Sequence, residues 1–330
     1  MENLEQIQQT LSDVDDRVPD AFRIALGLGN RVSPTPAPGE DDDVANFAAS
    51  LLEPVAAGGG GDGRTAELDD VAPTASLRID IGSCYIPLDD HDAHFVDASA
   101  GVFGVADGVG QYNTGAFARG LMANASAEVA AAEPGAPVCP YALLENAYDK
   151  TVASRPPGAS TAVILSLAGK SLSWAYLGDS AFAVLRGGKI VHLSWPQQHL
   201  KRGSLQKLRY ASSPARKEEI RFTLNDPPFQ LCCDEARSDS VADARRGSEE
   251  VMAGDVVVAG TDELFGNMLN EQLERAVQLG TRLGFSPKNM ADVIAGVAYE
   301  RSKQPYVKRL RRGKPDDITV VVAFVVQSDS

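Results

Sequence analysis

Cysteine and histidine are both scarce in this 330-residue chain, which has four of each. The cysteines Cys84, Cys139, Cys232 and Cys233 show no metal-ligand spacing, and the adjacent pair makes a poor structural disulfide. Reduced thiols in an intracellular protein are the economical interpretation. The same scarcity gives no support to a Cys-His or Ser-His-Asp catalytic set.

Long apolar runs and basic charge are also in short supply. No run approaches the ~18 apolar residues of a membrane span. The acidic start, MENLEQIQQTLSDVDD, has neither the apolar core of a signal peptide nor the Arg- and Ser-rich character of a transit peptide. A net charge of -14 and a pI near 4.8 disfavour broad nucleic-acid or anionic-membrane binding. We expect a cytoplasmic or nucleocytoplasmic monomer without a nucleic-acid partner or a membrane span.

Residues 1–75 differ in amino-acid composition from the rest of the chain. VSPTPAPGEDDD and AAGGGGDGRTAELDD are rich in proline, glycine and acid, and bury too little apolar surface to offset the entropy of ordering. We predict a largely disordered acidic tail, with short helices possible in Met1–Leu28 and in VANFAASLLEPVAA. From residue 76 to residue 330 the pattern becomes that of one folded domain.

Strands and helices alternate irregularly within residues 76–330. Apolar, β-branched segments such as RIDIGSCYIP and STAVILSLAG predict strands, and the turns AGKS and RGGK suit hairpins. Ser286 followed by Pro287 predicts a capped helix start. Hairpin runs interrupted by helix pairs predict an α+β fold of antiparallel sheets covered by helices. Residues 200–250, first basic and then mixed, are predicted to form a polar surface insertion in this domain.

Four aspartates stand where short apolar strands end or begin. Asp107 ends VFGVAD, Asp179 ends WAYLGD, Asp262 ends VVVAGTD, and Asp316 opens DDITVVVAFVV. A carboxylate at the end of a buried strand is costly unless its charge is compensated. One such aspartate would indicate a turn or a helix cap. Four of them predict convergence on hard cations such as Mg²⁺ or Mn²⁺, which prefer oxygen ligands.

Six motifs then follow one another in order: DAHFVD, FGVADGVG, GASTAV, WAYLGDSAFAVLRGGKIVHLS, VVVAGTDELFGNM and GKPDDITVVVAFV. Each is weak alone, but the ordered series is specific. Over roughly residues 78–326 it resembles the metal-dependent protein phosphatases of the PPM, or type 2C, family, and within it a small subgroup with a DGVG motif. The resemblance implies a four-layer αββα sandwich, in which helices flank two mainly antiparallel β-sheets. It also implies hydrolysis of phosphoserine and phosphothreonine in proteins.

The resemblance assigns metal ligands by motif position. Asp107 would bridge two ions, one of which also takes the backbone carbonyl of Gly108. Asp262 and Asp316 would complete the binuclear pair, with Asp317 as the alternative to Asp316. The ions would be Mg²⁺ or Mn²⁺. Asp92 would hold a metal through water, and Asp179 would be a ligand of a weaker third ion. Such ions lower the pKa of a shared water and clamp phosphoryl oxygens, so no protein nucleophile is needed.

The chain departs from the family pattern at several of these motifs. His91 replaces the glutamate before Asp92, and we consider it as a general acid for the leaving alcohol. Glu263 replaces a glycine, and either crowds the site or adds a ligand that compensates for Gly266, which replaces an aspartate. These departures raise an alternative: a divergent, weakly active or inactive phosphatase-like protein that binds phosphoproteins. A regulatory or scaffold module is a third hypothesis.

A basic cluster leads directly to Asp316 and includes Arg309, Arg311 and Arg312. A solvated surface is the simplest interpretation of such residues. The sharper hypothesis is that the three arginines attract the phosphorylated protein substrate towards the metal site.

Overall fold

The computed structural model describes residues 76–110, 115–199, 227–303 and 315–328. The predictions made for residues 1–75, for most of the basic segment from residue 200 onward and for Arg309, Arg311 and Arg312 lie outside these ranges. The described strands are β1 (Leu77–Ile86), β2 (Ala93–Asp97), β3 (Val102–Ala106), β4 (Gly108–Val109), β5 (Ala159–Ser160), β6 (Ala162–Ala168), β7 (Ser171–Leu177), β8 (Ala181–Arg186), β9 (Lys189–Leu193), β10 (Leu231–Cys232), β11 (Arg245–Glu250), β12 (Val256–Gly260) and β13 (Ile318–Gln327).

Two five-stranded antiparallel sheets form the centre of the structure. The first sheet has the order β1-β13-β12-β8-β9, and the second has the order β11-β7-β6-β3-β2. A small third sheet, β10-β5-β4, consists of two-residue strands. This arrangement confirms the prediction of mainly antiparallel sheets.

In the described ranges, five α-helices cover the outer faces of the two large sheets. They are α1 (Gly115–Ala131), α2 (Pro140–Ser154), α3 (Asp262–Asn267), α4 (Asn270–Arg282) and α5 (Pro287–Ser302). Helices α1 and α2 share an apolar cluster with the second sheet, and α3 to α5 share one with the first. A third cluster lies between the sheets, so the layers follow the predicted αββα order. Among the described residues, no helix is long and apolar enough to cross a membrane.

Strand β12 shows why the central strands have continuous apolar sequences. Successive side chains point to opposite faces of a sheet. Val256 and Val258 therefore face the helices, whereas Val257 and Ala259 face the other sheet. Both faces are buried, and each fully buried valine stabilises the fold by about 1.5–3 kcal/mol.

Local signals at turns and caps are matched by the structure. Gly187 and Gly188 have φ of +57° and +74° in the β8–β9 turn, a conformation that glycine adopts without steric cost. The Ser286 hydroxyl accepts a hydrogen bond from the backbone N–H of Asn289 at 3.2 Å, and Pro287 occupies the first turn of α5. The predicted helix start is confirmed.

Two elements differ from the sequence prediction. The polar segment that we assigned to a surface insertion contains β11, which pairs with β7 along its whole length. All six β11 residues are exposed because the strand lies at the sheet edge, so it carries no apolar alternation. The sequence from Asp262 through LNEQLERAVQLGTRLG predicts one long helical region, but the structure has two helices there, which separate between Asn267 and Asn270.

Candidate metal centre

Strand register brings distant parts of the chain to one edge of the sandwich. In the first sheet Ile86 pairs with Ile318, and Gly260 pairs with Ala181. The ends of β1 and β12 therefore lie beside the starts of β13 and β8. In the second sheet the end of β3 pairs with the start of β2, and the end of β7 with the start of β6. The aspartates that follow or precede these strands consequently face a common space.

Three of the predicted aspartates meet there. One carboxylate oxygen from each of Asp107, Asp179 and Asp262 lies within 4.8 Å of the other two. Asp179 is almost fully buried, at 1% exposure. Among the described residues, these three aspartates form the one group whose ligand atoms are close enough to hold a metal ion together. Asp92, Asp316 and Glu263 are not part of this group.

The carboxyl of Asp107 lies at the electrostatic centre of the site. Burial raises its pKa well above the ordinary value, and the negative charges of Asp262, Asp92, Asp179 and Asp316 raise it further. All four predicted partners are therefore close enough to repel its ionised form. An all-carboxylate set with this mutual repulsion fits hard divalent cations, which supply the missing positive charge through oxygen coordination.

The backbone of Asp107 is fixed by Thr161. Its N–H donates to Thr161 Oγ1 at 3.1 Å, and its carbonyl accepts from the Thr161 N–H at 2.9 Å. Thr161 Oγ1 also lies 2.7 Å from Ser180 Oγ, next to Asp179. The buried hydroxyls of Thr161 and Ser180 thus connect the backbone at Asp107 to the segment that carries Asp179.

Asp179 stands in a tight turn after β7. Gly178 has φ of +102°, and a Cβ there would lie 2.5 Å from Thr161 Cγ2. Only glycine fits this turn without displacement of the threonine. The Gln198 side-chain amide donates to Asp179 Oδ2 at 3.0 Å and ties the segment after β9 to the site.

Asp92 is buried between the two sheets. Its Oδ2 accepts hydrogen bonds from Thr261 Oγ1 at 2.9 Å and Thr319 Oγ1 at 2.8 Å. Burial raises the pKa of Asp92 well above its ordinary value, and the Asp317 charge adds to that rise, whereas the two hydroxyls act to lower it. The side chain predicted to hold a metal through water therefore also links the first sheet to β2.

Asp316 and Asp317 have different surroundings. Asp317 is 2% exposed, and its carboxylate accepts the backbone N–H groups of five consecutive residues, Leu88 to Asp92. The sequence position of Asp317 would also allow it to cap the start of β13 through solvent, but this interpretation is wrong because the side chain is buried. Burial acts to raise its pKa, but these N–H donors outweigh burial and the pKa is lowered. The charge of Asp316, in contrast, acts on Asp107, as the preferred ligand assignment requires.

The remaining predicted residues surround this centre unevenly. The backbone of His91 packs on Gly108 too closely for any side chain at that glycine. Glu263 is buried, and its Oε2 accepts from Asn267 Nδ2 at 2.7 Å within α3. The general-acid role of His91 remains a prediction, as do the two alternatives for Glu263, namely that it crowds the site or that it adds a ligand.

The sequence pattern did not identify four hydroxyl residues of the site, Thr161, Ser180, Thr261 and Thr319. It indicated Asp317 as an alternative ligand and not as the anchor of the loop. A signal was present for one of the hydroxyls. Thr319 is the single polar residue in the apolar run ITVVVAFVV, and such an isolated hydroxyl in a buried strand indicates a specific partner. The partners themselves lie far away in sequence and are visible only in the fold.

Comparison with known proteins gives close relatives but no matching family model. The chain is 46% identical to putative protein phosphatase 2C 24 of Oryza sativa subsp. japonica, over 99% of this chain and 100% of that protein. It is 44% identical to putative protein phosphatase 2C 23 of the same plant, over 100% and 99% respectively.

Solved structures share the architecture. The photosystem II phosphatase PBCP is 26% identical, with a TM-score of 0.56 over 76% of this chain and 99% of that chain. The catalytic domain of the serine/threonine phosphatase PstP, in complex with 2 manganese ions, is 19% identical with a TM-score of 0.56. The match covers 76% of this chain and 100% of the PstP chain. At this identity the similarity is one of fold.

Proposed function

This chain belongs to the protein phosphatase 2C family, and we propose that it hydrolyses phosphoserine and phosphothreonine in proteins with divalent cations held at its aspartate cluster. The observation that carries the proposal is the convergence of Asp107, Asp179 and Asp262 within 4.8 Å. A surface or scaffold role gives no reason to bury and crowd carboxylates in this way, because their mutual repulsion costs stability.

The donor set favours Mg²⁺ or Mn²⁺, which take oxygen ligands. We propose that Asp107, Asp262, Asp316 and the carbonyl of Gly108 hold two ions, with Asp92 acting through water. A third ion would take Asp179. When bound, such ions neutralise the carboxylates, polarise the phosphoryl group and lower the pKa of the attacking water.

The chain's own residues would prepare this site before substrate arrives. Thr161 fixes the backbone of Asp107, and Gln198 orients Asp179. Asp92 is held in place by Thr261 and Thr319. Such outer-shell hydrogen bonds typically contribute 10–100-fold in metal affinity or activity.

Metal-dependent turnover is the primary test. Wild-type protein should hydrolyse a phosphothreonine peptide only with Mn²⁺ or Mg²⁺, and Asp107→Asn and Asp262→Asn should each lose at least about 100-fold in kcat/KM. Asp80→Asn is a matched control, because Asp80 is an exposed carboxylate on β1 that pairs with Arg78. Metal binding without turnover would favour the divergent phosphoprotein binder, and absence of both would overturn the proposal.

His91 is proposed to protonate the departing alkoxide. This role predicts a leaving-group dependence. His91→Gln should slow hydrolysis of the phosphothreonine peptide at least about tenfold more than hydrolysis of p-nitrophenyl phosphate, whose leaving group needs no proton. Equal slowing of the two substrates would remove the role.

Arg309, Arg311 and Arg312 are proposed to attract the phosphorylated substrate. The supporting observation is their sequence position just before Asp316. Replacing all three by glutamine should raise KM for a phosphopeptide with little change in kcat. An unchanged KM at low ionic strength would reject this role.

A further inference from the structure

We propose that Asp317 is a positioning residue, whose carboxylate fixes the loop after β1 and so sets the places of His91 and Asp92 beside Asp107. The proposal rests on the proposed function, because it concerns the geometry of the same metal site. Asp317 differs from Asp316, the preferred ligand, because its carboxylate is directed at backbone N–H groups of its own chain.

The anchoring contacts use both carboxylate oxygens. Oδ1 accepts from the N–H of Leu88, of Asp89 at 2.8 Å and of Asp90 at 3.2 Å. Oδ2 accepts from the N–H of His91 and of Asp92 at 3.3 Å. The Tyr85 hydroxyl adds a further donor to Oδ2 at 3.3 Å. Consecutive N–H groups thus converge on one anion.

The loop conformation matches this role. Asp90 has φ of +60°, in the left-handed region that aspartate tolerates better than most residues. A left-handed residue within such a turn lets successive N–H groups point inward and form a concave nest for an anion. The Asp317 carboxylate fills this nest. Arg119 Nη1 also donates to the Asp90 carbonyl at 2.7 Å.

The anchored loop delivers two groups to the site. The His91 backbone lies against Gly108, one residue from Asp107. The next residue, Asp92, reaches Thr261 and Thr319 through its carboxylate. Since Asp317 follows Asp316 directly, one buried anchor couples two predicted ligands that are far apart in sequence.

The contacts require a carboxylate and not an amide. In Asp317→Asn only one oxygen remains, and the amide NH₂ would face N–H donors of the loop. Donors cannot satisfy one another, so at least two N–H groups of the loop would lose their acceptor. Asp317→Glu keeps the charge but moves it by one methylene, which displaces the loop instead of releasing it.

Hydrogen exchange and metal binding on the full chain test the proposal together. In Asp317→Asn, amide exchange at residues 88–92 should accelerate at least about tenfold in metal-free protein. The Mn²⁺ dissociation constant, measured by calorimetry, should rise about 10–100-fold. The kcat at saturating Mn²⁺ should change less than the Mn²⁺ affinity, because the residue does not touch substrate.

Asp97→Asn is the matched control. Asp97 holds the β2–β3 turn by accepting from Ser99 Oγ at 2.6 Å and the Ala100 N–H at 2.9 Å. This variant should loosen its own turn and leave Mn²⁺ affinity within twofold. If Asp317→Asn does not fold, Asp317→Glu carries the test and should still weaken Mn²⁺ binding at least about fivefold.

Exchange at residues 88–92 and Mn²⁺ affinity both within twofold of wild type in the folded variant would overturn the positioning role. The failure of the proposed function has another signature. It would appear as wild-type protein that neither binds Mn²⁺ nor hydrolyses phosphopeptide. Hydrogen exchange in metal-free protein tests whether Asp317 anchors the loop, whether or not the proposed function holds.

Discussion

Thr261 donates its hydroxyl to Asp92 at 2.9 Å, and this bond joins the end of β12 in one sheet to the start of β2 in the other. Thr261 Oγ1 also accepts the Thr319 N–H at 3.1 Å. One hydroxyl therefore serves a buried carboxylate and a buried backbone donor at the same time. Such a group is costly to remove because its partners are left unsatisfied away from water.

Thr261→Val should lower the free energy of unfolding by about 1–3 kcal/mol. Valine keeps the shape of threonine but leaves Asp92 with one hydroxyl donor fewer and the Thr319 N–H without its acceptor. Urea denaturation of metal-free protein at pH 7 measures the loss. Thr281→Val on the exposed face of α4 is the control and should stay within about 0.5 kcal/mol. Equal losses in the two variants would contradict the role of the buried hydroxyl.

Gly178→Ala should disturb both stability and the metal site. A Cβ at this position would lie 2.5 Å from Thr161 Cγ2 and 2.8 Å from the Phe229 carbonyl, at a φ of +102°. We expect a loss of about 2–4 kcal/mol, together with weaker Mn²⁺ binding as Asp179 moves. Gly169→Ala isolates the backbone effect, because that glycine has φ of +59° and open space around it, and should cost about 1 kcal/mol. A smaller loss at position 178 than at position 169 would refute the steric argument.

The Cys84 thiol should stay unreactive in the folded protein. Burial, with the neighbouring Asp292 charge, raises its pKa from 9.0 to about 12. Thiolate is the reactive form, so an electrophile at pH 8 should label the exposed Cys139 first and Cys84 only after unfolding. Peptide mapping by mass spectrometry identifies the order of labelling.

The same shift predicts an alkaline loss of stability. Above pH 9 the unfolded chain releases the Cys84 proton while the folded chain retains it. The contribution of the protonated thiol is therefore complete below pH 9 and decreases as pH rises towards about 12. Unfolding free energy should decrease less steeply between pH 8.5 and pH 10 in Cys84→Ala than in wild type. Parallel pH profiles would argue against the shift.

Arg186→Met should cost about 2–3 kcal/mol of unfolding free energy. Arg186 donates to both oxygens of Asp255, at 2.9 and 2.8 Å, and Asp255 is 1% exposed. Removing the guanidinium leaves a buried carboxylate with less compensation, although the partial exposure of the arginine moderates the cost. Lys189→Met breaks an exposed pair with Glu274 and should cost no more than about 1 kcal/mol. Chemical denaturation of the two variants makes the comparison.

Glu263→Gln should leave Mn²⁺ affinity within twofold of wild type. The Glu263 carboxylate accepts from Asn267 at 2.7 Å, and a glutamine carbonyl preserves that acceptor. A dissociation constant raised tenfold or more would instead identify Glu263 as the compensating ligand. Calorimetric Mn²⁺ titration separates the two outcomes.

The sequence predicts the architecture well because its strongest signals are local. Strands such as β8 and β13 are apolar along their length, and the glycine pair Gly187 and Gly188 specifies the hairpin between β8 and β9. Edge strand β11 was not predicted, because it lacks a local sequence signal. Its exposed polar residues have no apolar face, and its pairing with β7 depends on backbone hydrogen bonds that any residue except proline can make.

Prediction of the site reached the aspartates but not what holds them. Asp107 and Asp179 stand out because charge at the end of an apolar strand is unusual. The loop anchor Asp317 gives no such signal, since its partners at residues 88–92 are backbone groups more than 200 positions away. Thr261 and Asp92 are similarly remote. Only the register of β13 against β1 and β12 brings these groups together.

The position of β13 also has a consequence for biosynthesis. This strand is the last described element of the chain, yet it lies between β1 and β12, which are both made earlier. A ribosome-bound intermediate that has not yet exposed residues 315–328 therefore lacks the strand that joins β1 to β12, and Asp317 is not yet present to accept from Tyr85 and Leu88. Catalytic competence should consequently appear only after residues 315–328 have left the ribosome, in a late step dominated by long-range pairing.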